Sequence, residues 1–224
     1  MAKSARATGQ SGGGAGVEGT TRVVGIFGDP VDHSLSPRMH NAAFRALGLD
    51  YIYVPFRPTK PTIGASVGAI RALGLAGVNV TVPFKRDVMP HLDHVSDTAR
   101  SAGAVNTIVN RDGKLLGDNT DVPGFAAALS AAGFRVRGKR AIVIGAGGAA
   151  RGVVHGLLTS GAAEVVVANR TRARAADLVK AFAKEKARLR IVPLDSLADV
   201  AWLGTAHLVV NSTSVGRHGG DFLD

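Results

Sequence analysis

Gly145-Ala146-Gly147-Gly148-Ala149-Ala150 follows four apolar residues, Ala141 to Ile144, and opens an alanine-rich run through about Leu158. Strand, glycine turn and helix in this order form the pattern of a dinucleotide site, with Ala150 at the third position, where alanine is tolerated. Gly145 permits the tight turn, and Gly147 lets the backbone approach a pyrophosphate. The free N–H groups and dipole at the helix start attract that charge. The competing reading is a turn whose glycines serve packing alone. The residues beyond the motif weigh against it. The next strand, Glu164-Val-Val-Val-Ala-Asn-Arg170, ends where an NAD site would put a carboxylate for the ribose 2′-hydroxyl. Asn169-Arg170-Thr171-Arg172-Ala173-Arg174 stands there instead. Arginine forks bind phosphate oxygens bidentately, whereas a carboxylate repels them. Arg170 and Arg174, four apart on one side of a helix start, read as ligands of a 2′-phosphate. Arg172 reads as a solvated neighbour. The expected cofactor is NADP.

Polar residues in the first half of the chain form further sets. Asn79 and Thr81 share one face of the run Gly77-Val-Asn-Val-Thr-Val-Pro-Phe-Lys85, with Val78, Val80 and Val82 on the other. Polar groups on a strand that ought to be buried need partners, and a ligand can be one. Lys85 lies just past the carboxyl end of that strand, where ligands bind in open α/β sheets. Its alternative reading is a surface lysine. Asp121, in Gly117-Asp-Asn-Thr-Asp121-Val-Pro-Gly-Phe125, also fits an N-cap for a helix from Val122 to Ala132. His33 and His40 are too few and wrongly spaced for a metal site, so no metal is expected.

The elements that must position these groups alternate between strand and helix. Strands are expected at Arg22 to Gly28, Tyr51 to Phe56 and from Gly77, with helices from Ser36 to about Leu47 and Thr62 to Leu73. Ser36 reads as an N-cap followed by Pro37 at the first helical position. This alternation implies parallel βαβ units. Helical pieces are expected around Asp87 to Val95 and Asp97 to Ser101. Asp112-Gly113, between Ala104 to Val109 and Lys114 to Gly117, signals a hairpin. Later strands are expected near Arg190 and from Ala206 to Asn211.

Composition sets the bounds. Apolar residues make up 46% and charged residues 20% of the 224, so the chain is globular, with one or two domains. The absence of cysteine removes disulfides, thiolate metal sites and a cysteine nucleophile. No run approaches the roughly 20 apolar residues of a membrane span. The net charge of +10 is spread over regular elements with one tryptophan and two tyrosines, which suits anionic small molecules better than nucleic acid. Residues 1–20, rich in Gly, Ser, Ala and Thr, read as a disordered extension.

Taken together and in order, these motifs resemble the shikimate dehydrogenase family from Val23 to about Gly216. The carriers are Gly28-Asp-Pro-Val-Asp-His-Ser-Leu-Ser-Pro-Arg-Met-His-Asn41, Gly77 to Lys85, Ala104 to Thr107, Asn119-Thr-Asp121, Asn169-Arg170-Thr171 and Asn211-Ser-Thr-Ser-Val-Gly216. The family commonly has glycine after Asn-Thr-Asp, where this chain has Val122. The resemblance implies that Ser34 and Ser36 hold a substrate carboxylate. It implies that Thr81, Lys85, Asn106 and Asp121 surround the ring hydroxyls, with Lys85 and Asp121 the catalytic pair. Gly145 to Ala150 would hold the pyrophosphate. Asn169, Arg170, Thr171 and Arg174 would take the adenosine ribose and its phosphate, and Thr213 and Ser214 would lie near the nicotinamide. Hydride reduction of a ketone creates an alkoxide, and an ammonium at Lys85 can supply its proton.

The implied fold is a two-domain α/β enzyme. A substrate domain with a mainly parallel sheet covers residues 21–122, and an NADP-binding Rossmann domain covers 123–224. The implied reaction is reversible NADP-dependent reduction of 3-dehydroshikimate to shikimate, in the cytoplasm. The partner is the small-molecule substrate, with no nucleic acid and no membrane, and a homodimer is left open. The alternatives are an NAD-using quinate/shikimate dehydrogenase and a noncatalytic NADP- or shikimate-binding regulator. The family continues with more of the nucleotide sheet, a tyrosine and a glutamine that contact substrate, and a returning helix. The second domain is therefore expected to be incomplete at its C-terminus.

Overall fold

The computed structural model describes residues 16–198, 203–213 and 215–216. Two sheets divide the work, one built before Asp121 and one from Arg140 onward.

The first sheet begins with β1 (Arg22–Phe27), α1 (Ser36–Ala46), β2 (Tyr51–Phe56), α2 (Ile63–Ala72) and β3 (Gly77–Val80), with β1 paired in parallel to both β2 and β3. Gly48 and Gly74 follow the two helices at φ of 63° and 66°, the left-handed conformation that ends a helix most easily in glycine. Next come β4 (His94–Val95), α3 (Asp97–Ala102), β5 (Thr107–Arg111) and β6 (Lys114–Asp118), giving the order β2-β1-β3-β5-β6-β4. The β3–β5 and β5–β6 pairs are antiparallel. Asp112 and Gly113 turn the hairpin with φ of 52° and 81°, the positive pair that a two-residue loop of this kind requires.

Residues 87–95 depart from the helical expectation. Met89–His91 forms one 3₁₀ turn, and His94–Val95 joins β6 as a parallel strand. The open edge of β6 accounts for this: Leu115 and Gly117 carbonyls accept from the Asp93 and Ser96 N–H groups at 3.0 and 2.9 Å. A ladder partner outweighs local helix preference here. Residues 16–20 also differ from a detached extension. Thr20 and Thr21 donate to the Asp50 carboxylate at 2.6 Å each, tying the approach to β1 onto the start of β2. Residues 1–15 lie outside the described residues.

The second sheet contains β7 (Arg140–Ile144), β8 (Glu164–Asn169), β9 (Leu189–Pro193) and β10 (Leu208–Asn211), all parallel, in the order β10-β7-β8-β9. Ile142, Val143 and Val165 to Ala168 are wholly buried, as strands covered on both faces must be. Between strands run α5 (Gly148–Thr159) and α6 (Arg172–Ala181). The two sheets are joined through α4 (Asp121–Ala131), which packs along α5. The molecule is thus α/β, with an N-terminal mixed sheet and a Rossmann-type second sheet.

Candidate active site

Lys85 and Asp121 meet against the first turns of α5. Lys85 Nζ donates to Asp121 Oδ2 at 2.7 Å, and the lysine side chain is only 12% exposed. A lysine that deep is costly without a partner, so the surface-lysine reading fails. The other carboxylate oxygen, Oδ1, accepts from Asn106 Nδ2 at 2.8 Å. Asn106 is itself buried, and its Oδ1 accepts from the Thr120 N–H at 2.9 Å, which fixes the amide's orientation.

The helix-cap reading of Asp121 fails for a local reason. Asn119, two residues earlier and buried, accepts from the N–H groups of Asp121 and Val122 at 3.0 and 3.2 Å. Its Nδ2 donates to the Ala104 carbonyl at 2.8 Å. With Asn119 satisfying the orphan N–H groups of α4, the Asp121 carboxylate faces Lys85 and Asn106 instead.

Ser34, Ser36, Thr81 and Asn79 line the first sheet's side. Ser36 is the first residue of α1 and makes no side-chain cap bond, in contrast to its expected role. Ser34 Oγ accepts from the Ser36 N–H at 3.3 Å, so the earlier serine tethers the helix start. Arg57 braces the same loop by bonding Asp29 at 2.7 Å and Asp32 at 3.2 Å. Thr81 packs against Gly28, where a methyl group would stand 2.5 Å from Thr81 Cγ2. The alternation of β3 stops early. Val78 and Val80 are buried, but Val82 is 57% exposed because the strand ends at Val80. Asn79 accepts from the buried Tyr53 hydroxyl at 2.8 Å, a partner that spacing along the chain does not reveal.

The glycine loop separates two kinds of glycine. Gly145 has φ of 109°, and a methyl group there would lie 2.6 Å from Ser212 Oγ, so the fold itself demands glycine. Gly147 has φ of −85° and ψ of −169°, which any residue adopts, and a methyl group there would meet nothing within 4 Å. Packing alone therefore does not account for Gly147. An open backbone at the start of α5 is what a pyrophosphate needs. Ala146 packs against the core, Ala149 is half-buried, and Ala150 is fully buried against it, the close helix–strand contact of the motif's third position.

Arg170 and Arg174 are both exposed at the carboxyl end of β8. Arg170 lies before α6 rather than on its first turn, because Thr171 is the extended N-cap residue. Asn169 Nδ2 donates to the Thr171 carbonyl at 2.8 Å and shapes this bend. Thr213 is anchored through its N–H and hydroxyl to Asn211 Oδ1 at 2.9 and 2.7 Å. Ser214 lies outside the described residues.

Helix α5 carries a feature that the sequence motifs do not include. Gly148, Gly152 and Gly156 recur every fourth residue and so share one face. Methyl groups on them would stand 3.3 Å from Lys85 Cδ, 3.3 Å from Asp121 Cβ and 3.4 Å from Phe125 Cδ1. The helix that begins at the glycine loop thus bears directly on the lysine and the aspartate. Val122, in the place of a glycine, fits beneath this face, with its Cγ2 3.8 Å from a methyl group on Gly152. Arg151 is buried on the same helix, its guanidinium beside Gly103 at the end of α3. Burial, then the nearby Arg86 charge, lowers its pKa, while Asp177 opposes both.

Residues 26–108 match the shikimate dehydrogenase substrate binding domain, and residues 127–218 match shikimate / quinate 5-dehydrogenase. A shikimate dehydrogenase (NADP(+)) of Rubrobacter xylanophilus is 46% identical over 208 residues, covering 92% of this chain and 72% of the relative. Among solved structures, the shikimate dehydrogenase of Aquifex aeolicus superposes with a TM-score of 0.82 at 38% identity, over 92% of this chain and 73% of that one. The shikimate 5-dehydrogenase of Thermus thermophilus, solved in complex with NADP(H) and shikimate, gives 0.74 at 41% identity, over 88% and 70%. With both halves matched and a relative this similar covered over most of its length, the chain belongs to the shikimate dehydrogenase family.

Proposed function

We propose that this protein catalyses the reversible NADP-dependent reduction of 3-dehydroshikimate to shikimate, a step in chorismate and aromatic amino acid biosynthesis. The observation that carries the reading is the pair Lys85 and Asp121, 2.7 Å apart and braced by the helix that opens at the glycine loop. Residues 21–122 form the substrate domain and residues 123–224 the cofactor domain. Ser34 and Ser36 hold the substrate carboxylate, and Thr81, Asn106, Lys85 and Asp121 surround its hydroxyls. Gly145 to Ala150 hold the pyrophosphate; Asn169, Arg170, Thr171 and Arg174 hold the adenosine end, with Thr213 and Ser214 toward the nicotinamide. When bound, NADP supplies the two-electron redox chemistry. The protein's own part is the proton. As the ketone oxygen gains negative charge, the Lys85 ammonium donates a proton to it, and in the reverse direction Lys85 accepts that proton. The Asp121 carboxylate, with one oxygen on Lys85 and the other on Asn106, orients the hydroxyl being made or oxidised. Asp121 is held by Lys85 on one oxygen and Asn106 on the other, and groups fixed in this way limit the reorganisation that the reaction needs.

The arginines after Asn169 favour NADP over NAD, and the intact pair of proton-handling groups favours an enzyme over a noncatalytic binder. The test is turnover of shikimate with NADP and with NAD, beside turnover of quinate. NADP-dependent oxidation of shikimate is expected. NAD-dependent oxidation of quinate as the faster reaction would establish the alternative dehydrogenase, and binding without turnover would establish a regulator. A homodimer belongs to the same proposal. Leu47 and Leu49, 71% and 46% exposed beyond α1, offer apolar surface to a second copy, which sedimentation velocity would detect. A cytoplasmic location is proposed because the cofactor and the small anionic substrate are solutes of that compartment.

A further inference from the structure

Tyr53, on β2, belongs to none of the motifs described above, yet its hydroxyl lies beside Asn79 and Ser36 on the substrate side of the site. The residue is 3% exposed. Its ring stacks on His40 of α1 with centroids 4.4 Å apart and planes 7° from parallel. Asn41 grips its backbone from both sides, donating to the Tyr53 carbonyl at 2.9 Å and accepting from the Tyr53 N–H at 2.8 Å. Ring and backbone are therefore held independently of the hydroxyl.

The hydroxyl donates to Asn79 Oδ1 at 2.8 Å. That bond leaves the Asn79 amide nitrogen pointing away, where it donates to Thr107 Oγ1 at 3.3 Å and the Asn106 carbonyl at 3.4 Å. Thr107 in turn donates its hydroxyl proton to Asn106 Oδ1 at 3.0 Å. Asn106 Nδ2 then reaches Asp121 Oδ1 at 2.8 Å, and Asp121 Oδ2 accepts from Lys85. Every donor in this series faces the same way, from Tyr53 toward Asn106. An amide flipped at Asn79 would set its oxygen against the Asn106 carbonyl, and the Tyr53 and Thr107 hydroxyls would both have to turn round.

We propose that Tyr53 is a positioning residue for the reaction: its hydroxyl anchors Asn79, and through Thr107 that anchor adds to the hold that the Thr120 N–H has on Asn106 and so on Asp121. This rests on the functional reading above for its catalytic consequence, but the hydrogen-bond series itself does not. Burial raises the Tyr53 pKa to about 12, against an opposing pull from the Ser36 hydroxyl beside it, so the phenol remains a donor across the working pH range. Ser36 is the residue assigned to the substrate carboxylate. The Tyr53 hydroxyl thus neighbours both Ser36 and Asn79.

The decisive variant is Tyr53→Phe, which removes the oxygen and keeps the ring stacked on His40. In the full chain, kcat with shikimate is expected to fall about three- to tenfold, the scale of one net hydrogen bond. NADP affinity should stay within about twofold, and the melting temperature should stay close to that of the parent. In the Tyr53→Phe background, Asn79→Ala should add less than it costs alone, because the two act in one series. Side-chain amide resonances of Asn79 and Asn106 in the ligand-free protein give a readout that needs no turnover, and both should shift in Tyr53→Phe. An unmoved Asn106 amide, or parental kcat in an active protein, would overturn the proposal. A parent chain that ignores shikimate while the amide shifts occur would sink the functional reading and leave the series standing.

Discussion

Asp121 lies directly against Gly152: a methyl group on the glycine would stand 3.3 Å from the aspartate Cβ. One turn earlier, a methyl group on Gly148 would stand 3.3 Å from Lys85 Cδ. The helix that opens at the glycine loop therefore supports both Lys85 and Asp121. Contacts this tight leave room for a shift of only tenths of an ångström.

Gly152→Ala tests that support. Overpacking a tight contact costs about 1–3 kcal/mol of stability. A misplacement of about 1 Å can cost on the order of a hundredfold in rate, so a shift of tenths should cost on the order of tenfold or less. We expect kcat to fall while NADP affinity holds. Gly156→Ala, against Phe125 rather than the pair, should cost stability without a matching loss in kcat. Equal kinetic effects at the two positions would show that the support is nonspecific.

Lys85→Ala and Asp121→Asn should each lower turnover by about a hundredfold or more, the range expected of a general acid–base group. The double variant should lose less than the product of the single losses, because the two side chains form one hydrogen-bonded unit. NADP binding, followed by fluorescence titration, should survive all three changes. Near-parental turnover in either single variant would remove the proton-transfer role.

The features legible in the sequence were those decided within a few residues. Asp112-Gly113 encoded its own hairpin, the Gly48 and Gly74 stops ended their helices, and the apolar runs of β7 and β8 announced a sheet covered on both faces. Lys85 and Asp121 could be singled out but not joined by spacing alone, since 36 residues separate them. The rest depended on neighbours from elsewhere in the chain. His94 and Val95 became a strand because β6 left an edge open. Ser36 lost its cap role to the loop geometry around Ser34. Asn119 took the cap that Asp121 also fitted, a choice set by the Ala104 carbonyl that holds its amide. The four-residue spacing of Gly148, Gly152 and Gly156 was visible, but its meaning required knowing that α4 lies against that face.

Asp93 gives a prediction for stability against pH. Its carboxylate accepts from the Leu115 N–H at 2.7 Å and from Arg71 at 2.6 Å, joining α2 to β6. The Leu115 bond, opposed in part by burial and then helped by the Arg71 charge, holds its pKa below the ordinary 3.8. The folded value is depressed, so the unfolded chain binds more protons in that window and stability rises with pH across it. The contribution is complete above the ordinary value and is lost as pH falls through the depressed one. Denaturant unfolding should therefore show Asp93→Asn less stable than the parent near neutrality, with the gap closing below about pH 4. A gap that stays constant into acid would mean the carboxylate's charge contributes nothing.

Arg170 is the residue proposed to decide cofactor choice. It is exposed at the end of β8, just outside α6, and makes no hydrogen bond or ion pair among the described residues. Nothing in the described fold therefore employs its guanidinium, and its removal should leave stability nearly unchanged. A charge-assisted hydrogen bond contributes about 1.5–3 kcal/mol, and about 1.4 kcal/mol is tenfold in affinity. Arg170→Ala should thus weaken NADP roughly ten- to a hundredfold. NAD, which lacks the 2′-phosphate, should bind nearly as before. Arg174→Ala should act in the same direction if both guanidinium groups reach one phosphate, while Arg172→Ala should leave the ratio of NADP to NAD affinity unchanged. Calorimetric titration of the three variants with each cofactor decides the matter. Equal losses for NADP and NAD in Arg170→Ala would remove the 2′-phosphate from this residue and return it to the solvated surface.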